Sequence, residues 1–133
     1  MANPLTWRDT ANLPSRALTL IADQIAMMMP REAVGLLWES PGNEVGHRHL
    51  ANISDDPEHS YAVNVSEMIA KFEAATGRDI LQAMDDGVTF TLWHSHPSGL
   101  VGPSRGDVRL KQEALTYMVV TVNADNTLTA TLF

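Results

Sequence analysis

Two histidines, a hydroxyl and a carboxylate fall within one short stretch of the chain, where His94-Ser95-His96-Pro97 is followed by Ser104 and Asp107. Histidines one residue apart on a strand point to the same side, with Cα atoms about 6.5 Å apart. Nitrogens bound at about 2.0–2.1 Å to one tetrahedral zinc lie roughly 3.3 Å apart, a gap that two imidazoles leaning together can close. Pro97 stops the strand just past the second histidine, and the Gly/Pro-rich loop Pro97 to Pro103 can return the chain to the same end. A helix opening at Ser104 then brings in Asp107 from its first turn as a third ligand. Two histidines, one carboxylate and a water make an open, catalytic type of zinc site. The same ligand types suit a facial-triad iron centre, although the usual oxygenase barrel needs more strands.

Each piece has an ordinary alternative. His47-Arg48-His49 repeats the His-x-His spacing with no proline, glycine or carboxylate placed to complete a site, and reads as the solvated face of a strand. Ser104-x-x-Asp107 is also a helix-capping pattern. Other His-x-His chemistries fit poorly. The metallo-β-lactamase pattern needs Asp where this chain has Ser98, and the cupin pattern needs Glu where it has Leu100 and Val101. An amidohydrolase barrel needs about 250 residues.

The elements that must position these groups can be read from periodicity. Val88, Phe90, Leu92, His94 and His96 alternate with Thr89, Thr91, Trp93 and Ser95, which predicts a strand with the two histidines on one face. Ser104 to Leu115 is expected to be helical with Ser104 as its N-cap. Upstream, Met1 to Asn12 lacks a period and is expected to form an extended arm. From Pro14, Leu18, Ile21, Ala22, Ile25, Met28 and Met29 mark an amphipathic helix ended by Pro30, and Met27-Met28-Met29 reads as core packing rather than a binding face. Ala33 to Trp38 reads as a buried strand, the turn at Ser40-Pro41-Gly42-Asn43 follows, and Val45 to Leu50 pairs back as a hairpin. Asn52 to His59 is a loop, and Ser60 to Val65 a short strand. Ser66 to Thr76, closed by Gly77, is a helix burying Met68, Ile69, Phe72 and Ala75. Asp79 to Met84 is ambiguous. Tyr117 to Asn123 and Thr127 to Phe133 form two closing strands joined at Ala124-Asp125-Asn126. Strands and helices mix without a regular βα repeat, which points to an α+β or three-layer mixed sheet.

The 133 residues suit one domain, 1–133, and the 44% apolar and 19% charged shares are those of a globular chain. Sixteen acidic against nine basic residues give a net charge of −7, which argues against a protein built to grip a phosphate backbone. No apolar run approaches the ~20 residues of a membrane span, and Met1 to Thr10 lacks a signal-peptide layout. Cysteine is absent, so disulfides, thiolate nucleophiles and Cys-based zinc sites are excluded. Asp55, Asp56, Glu58 and His59 read as a solvated loop rather than a second metal cluster. Trp38 and Trp93 are expected in or beside the core, with Lys71 and Lys111 as surface charges.

The chain resembles the JAMM (MPN-type) metalloprotease family. The signature His-x-His-Pro, seven residues after the second histidine, then Ser-x-x-Asp, is filled by His94, His96, Ser104 and Asp107. Glu32, in Arg31-Glu32-Ala33-Val34-Gly35, resembles the family's catalytic glutamate in its Glu-x-x-Gly setting. The segment Asp56-Pro57-Glu58-His59-Ser60-Tyr61 and the closing strand pair are also similar, so the resemblance covers about Pro14 to Phe133. Val34 departs from the cysteine of many bacterial and phage relatives, at a position outside the motif.

The resemblance implies a three-layer α/β/α fold of the JAMM/MPN, cytidine-deaminase-like type, with a mixed, mainly antiparallel sheet flanked by helices. It implies Zn²⁺ held by His94, His96 and Asp107, Glu32 as an ionised general base, and Ser104 stabilising the oxyanion during hydrolysis of a peptide or isopeptide bond. The implied partner is a protein or peptide substrate, a phage tail protein or a ubiquitin-like protein, with neither nucleic acid nor membrane involved. The residues look most like phage tail-assembly JAMM domains, and prokaryotic deconjugases or processing proteases acting on ubiquitin-like or sulfur-carrier proteins are the other branch. A cytoplasmic or virion-associated location follows from those contexts. Non-catalytic MPN-type scaffolds generally lack one or more ligands, and every ligand position is filled here.

Overall fold

The strand carrying the two histidines forms as its alternation predicts, over Thr89–His96 (β4), near the middle of a six-stranded sheet. The computed structural model describes residues 5–109, 111–112 and 114–133. In chain order the other elements are β1 (Thr6–Asp9), α1 (Ser15–Met28), β2 (Val34–Glu39), β3 (Val45–Leu50), α2 (Val65–Thr76), α3 (Ile80–Asp85), α4 (Arg105–Arg109), β5 (Thr116–Val122) and β6 (Thr127–Leu132). The sheet order is β1-β6-β5-β4-β2-β3. Only β1 with β6 and β4 with β5 run parallel; the other pairs are antiparallel.

Both faces of the sheet are covered, which makes the three layers. Ala17, Ile21, Ala22 and Ile25 of α1 pack on Leu37, Trp93, Met118, Val120 and Leu128. On the opposite face Met68 and Phe72 of α2, with Ile80 and Ala83 of α3, pack on Leu36, Trp38, Phe90, Leu92 and Tyr117. The period-two strand pattern explains the division, since Leu36 and Leu37, or Leu92 and Trp93, must face opposite layers. A fully buried side chain of this size contributes ~1.5–3 kcal/mol relative to its exposed state. The histidines continue the Phe90–Leu92 row, so they lie on the α2 side at the C-terminal end of β4. Because β4 and β5 are parallel, the chain between them must cross over rather than turn tightly, and that crossover carries α4.

Several expectations change. The N-terminal arm is extended, but residues 6–9 of it form β1, and Trp7 Nε1 donates to the Leu18 carbonyl at 3.0 Å. Residues 1–4 of the arm lie outside the described residues. Of the methionine triplet only Met28 packs on the core, while Met27 and Met29 are exposed, because successive residues of a helix point in different directions. Ser60 to Val65 is not a strand: Asn64 caps α2 by accepting from the Ser66 and Glu67 N–H groups, and the residues before it belong to the loop. Ala75 turns to solvent, and Asp79 caps the short α3. The helix expected from Ser104 to Leu115 is described only as Arg105–Arg109, with Leu110 and Glu113 outside the described residues. Beyond it the Gln112 N–H donates at 2.8 Å to the Tyr117 hydroxyl, so that group is committed to a tertiary bond instead of a helical one.

The outer edge of β3 is partly closed by side chains. Arg48 donates to the His47 carbonyl at 2.8 Å, Lys71 of α2 to the His49 carbonyl at 2.6 Å, and Glu67 accepts from the Ala51 N–H at 2.8 Å. No helix among the described residues is long and apolar enough to cross a membrane.

Candidate metal centre

Three polar atoms converge at the end of β4. His94 Nε2 and His96 Nε2 lie 3.2 Å apart, and Asp107 Oδ2 lies 3.1 Å from the first and 3.2 Å from the second. All three residues are buried, His94 to 1% exposure. The capping pattern and the ligand pattern prove to be the same object. Ser104 N–H donates to Asp107 Oδ2 at 2.8 Å while Asp107 N–H donates to Ser104 Oγ at 3.1 Å, and this reciprocal pair fixes the carboxylate against the histidines.

Hydrogen bonds also decide where the imidazole lone pairs point. His96 Nδ1 faces the Leu100 carbonyl at 3.1 Å, which can only accept, so neutral His96 carries its proton there and turns a bare Nε2 inward. Thr121 Oγ1 donates to the same carbonyl at 2.8 Å and holds it in place. The His94 ring is clamped by Tyr61, stacked with centroids 4.2 Å apart, and by the edge-on Phe133 ring. Burial lowers the His94 pKa, against the opposing pull of Asp107, which favours the neutral ligand form. Burial alone would raise Asp107, but the hydrogen bonds from His94 and Ser104 prevail and hold it below the usual carboxylate range.

Glu32 sits on the other side of the hollow. It ends the segment entering β2, and that segment is pinned to β4 by a pair of hydrogen bonds between residues far apart in sequence. Ala33 N–H donates to Ser95 Oγ at 2.8 Å, and Ser95 N–H donates to the Ala33 carbonyl at 2.9 Å. The loop after β3 holds it from the opposite direction. Glu32 N–H donates to the Pro57 carbonyl at 2.6 Å, and Asn52 Nδ2 donates to the Glu32 and Ser60 carbonyls, each at 3.0 Å. Ligand atoms of Glu32, His94 and His96 all lie within 4.8 Å of one another. Burial, then the charge of Asp107, pushes the Glu32 pKa up to about 8, so the ionised carboxylate expected from the sequence is not the favoured form when no cation is present.

Two sets of three therefore exist, and distance separates them. The His94/His96/Asp107 spacings of 3.1–3.2 Å are close to the roughly 3.3 Å edge of a tetrahedron with bonds near 2.0 Å. With a bare His96 Nε2 and an acceptor-only carboxylate facing each other, the set has more lone pairs than protons to share, and a divalent cation fits it. Glu32 is wider of that set and lines the cleft in front of it.

The cleft encloses about 420 Å³, and Glu32, His59, Tyr61, His96, Ser104 and Asp107 are among its lining residues. All five residues singled out from the sequence, Glu32, His94, His96, Ser104 and Asp107, are thus brought together. His59 belongs to the exposed loop expected for it, yet that loop forms a wall of the cleft, and its Nδ1 pairs with Asp56 Oδ1 at 3.0 Å. The loop residue Asn52 and the backbone carbonyl of Leu100 were not singled out, since neither carries a spacing that marks a role.

The second His-x-His pair departs from its expected solvated state. His49 is exposed, but His47 is buried and its Nε2 accepts from Trp93 Nε1 at 2.9 Å. Burial, assisted by the neighbouring His49 and Arg48 charges, pushes its pKa down to about 4. Gly35 explains the Glu-x-x-Gly spacing physically. A Cβ there would lie 2.6 Å from Trp93 Nε1 and 2.8 Å from His47 Nε2, so the bond crosses β2 only where no side chain stands.

No curated protein matches the chain. Residues 14–132 match the family described as prokaryotic homologs of the JAB domain.

Proposed function

Because the chain belongs to the prokaryotic homologs of the JAB domain, we propose that it is a zinc-dependent peptidase or isopeptidase that hydrolyses an amide bond in a protein substrate. The family holds both metallo-isopeptidases and non-catalytic MPN-type scaffolds. The observation that supports the catalytic side is the mutual 3.1–3.2 Å spacing of His94 Nε2, His96 Nε2 and Asp107 Oδ2 behind an open cleft. A scaffold has no need of a carboxylate and two imidazoles buried with their polar atoms converging.

His94, His96 and Asp107 would hold the zinc, which when bound supplies Lewis acidity and makes a water in the cleft easier to deprotonate. Glu32 is the proton carrier. Positive charge among the three ligands offsets the Asp107 contribution that raises Glu32, and so favours the carboxylate that accepts the water proton. Glu32 then passes the proton to the leaving amine. Ser104 Oγ accepts the Asp107 N–H, which leaves its own hydroxyl proton free to donate to a developing oxyanion. Tyr61 and the Leu100 carbonyl keep the two imidazoles from turning.

The sequence likeness to phage tail-assembly domains makes processing of a tail protein the preferred setting. Processing of a ubiquitin-like or sulfur-carrier protein is the alternative. Zinc analysis with a Glu32→Gln variant tests the chemistry. The variant is expected to keep one zinc per chain and to lose at least about a hundredfold of hydrolysis. Purified protein that takes up no stoichiometric zinc would place the chain among the scaffolds.

A further inference from the structure

The crossover helix α4 has two faces, and only one serves the metal centre. Gly106 and Asp107 face the cleft, and Ser104 just before the helix lines it too. Arg105, Val108 and Arg109 stand at i, i+3 and i+4, so they share the opposite face. With Pro103 and Ser104 they line a shallow groove, and Ser104 lies in both hollows, making the groove a continuation of the cleft. Val108 is 53% exposed, and Leu100 and Val101 in the preceding loop are 52% and 67% exposed.

Among the described residues the two arginines of this rim have no carboxylate partner. Arg8, Lys71 and Arg78 elsewhere pair with Asp125, Glu67 and Asp86. Lys111 nearby lies over the Phe133 ring at 5.9 Å. The one acid of the helix, Asp107, is buried in the metal centre. The whole chain carries −7, but charges more than about 8 Å away are largely screened at physiological salt, so an approaching segment responds to the local cations. Away from α4 the cleft is lined by Glu32, His59, Ser60 and Tyr61, and His59 there pairs with Asp56.

We infer that this outer face of α4 is the substrate-docking surface, and that it takes a peptide segment bearing carboxylates interleaved with aliphatic side chains. The inference rests on the peptidase reading above and adds a substrate class to it. Carboxylates meet Arg105 and Arg109, and the aliphatic side chains cover Val108.

A binding experiment separates this inference from the catalytic one. The probe is a fluorescein-labelled peptide of alternating glutamate and leucine, compared with its lysine–leucine counterpart and with a single-stranded oligonucleotide, against zinc-loaded Glu32→Gln protein. The glutamate peptide is expected to bind at least about tenfold more tightly at low salt than the lysine peptide. Arg105→Glu/Arg109→Glu is expected to abolish that preference and Val108→Ser to weaken binding several-fold, with zinc content and thermal unfolding unchanged in both. Equal affinities for the two peptides, no effect of the charge reversal, or equally tight oligonucleotide binding would overturn the inference. Hydrolysis of the glutamate peptide by the unmutated zinc-loaded chain is read in parallel. Charge-selective binding without cleavage keeps the docking surface and removes the peptidase reading, whereas cleavage without charge preference does the reverse.

Discussion

Replacing His47 by glutamine should remove a defined part of the protein's acid sensitivity. His47 is 6% exposed, and its Nε2 is an acceptor for Trp93 Nε1, a role that requires the neutral ring. Its folded pKa is pushed from 6.5 down to about 4, chiefly by burial. Below pH 6.5 the unfolded chain takes up a proton at this position that the folded chain refuses. Stability is therefore fully present above pH 6.5 and is lost as the pH falls toward 4. The size follows from the shift: about 2.5 units at 1.36 kcal/mol each sets an upper figure of about 3 kcal/mol. Glutamine can accept from the Trp93 N–H and does not titrate. Urea unfolding of both proteins with chelator present, at steps from pH 7.5 to 4, gives the difference in stability at each pH, and groups common to both cancel in it. That difference should move by about 3 kcal/mol in favour of the variant as the pH falls. A difference that stays constant within about 0.5 kcal/mol across the range would refute the reasoning, because it would mean that His47 titrates alike in both states.

The remaining expectations concern the site and its supports. Zinc at a thousandfold excess over its dissociation constant should raise unfolding stability by about 4 kcal/mol in the wild type, and denaturant titration of Asp107→Ala should show almost none of that gain. Asn52→Ala should cost about 1–3 kcal/mol in the same titration, since it strands the Glu32 and Ser60 carbonyls that Asn52 Nδ2 now serves. Gly35→Ala should cost about 1–3 kcal/mol by thermal or chemical unfolding, with loss of the Trp93–His47 contact visible as a change in tryptophan fluorescence.

What could be read in the sequence was what is local in it. The alternation of β4 fixed the face on which His94 and His96 stand, and Ser104 and Asp107 lie close enough along the chain for a proline-bounded loop to return them. Glu32 became visible only through resemblance, because its place depends on the pinning of Ala33 to Ser95, which are 62 positions apart. His47 shows the limit of strand periodicity. The pattern places His47 and His49 on one face but does not say how far α1 extends over it, and the cover reaches His47 while leaving His49 exposed. The loop after β3 was read correctly as polar and irregular. Its contribution to the site comes through the Asn52 side chain and backbone carbonyls, which have no compositional mark. The length of α4 was overread for a related reason: a capping box announces where a helix starts, and the Tyr117 hydroxyl that engages Gln112 lies on the next strand.

The partly closed edge of β3 bears on how this chain behaves in a crowded solution. An open sheet edge is a template for another chain, and a sheet ending in a bare six-residue strand would invite self-association. Here the carbonyls of His47 and His49 are already taken, and the long side chains of Arg48 and Lys71 stand where an incoming strand would lie. The opposite margin is β1, only four residues long and largely exposed. Truncation by Lys71→Ala would lay part of the β3 margin bare, so the first sign of damage there should be turbidity on concentration rather than a loss of folding.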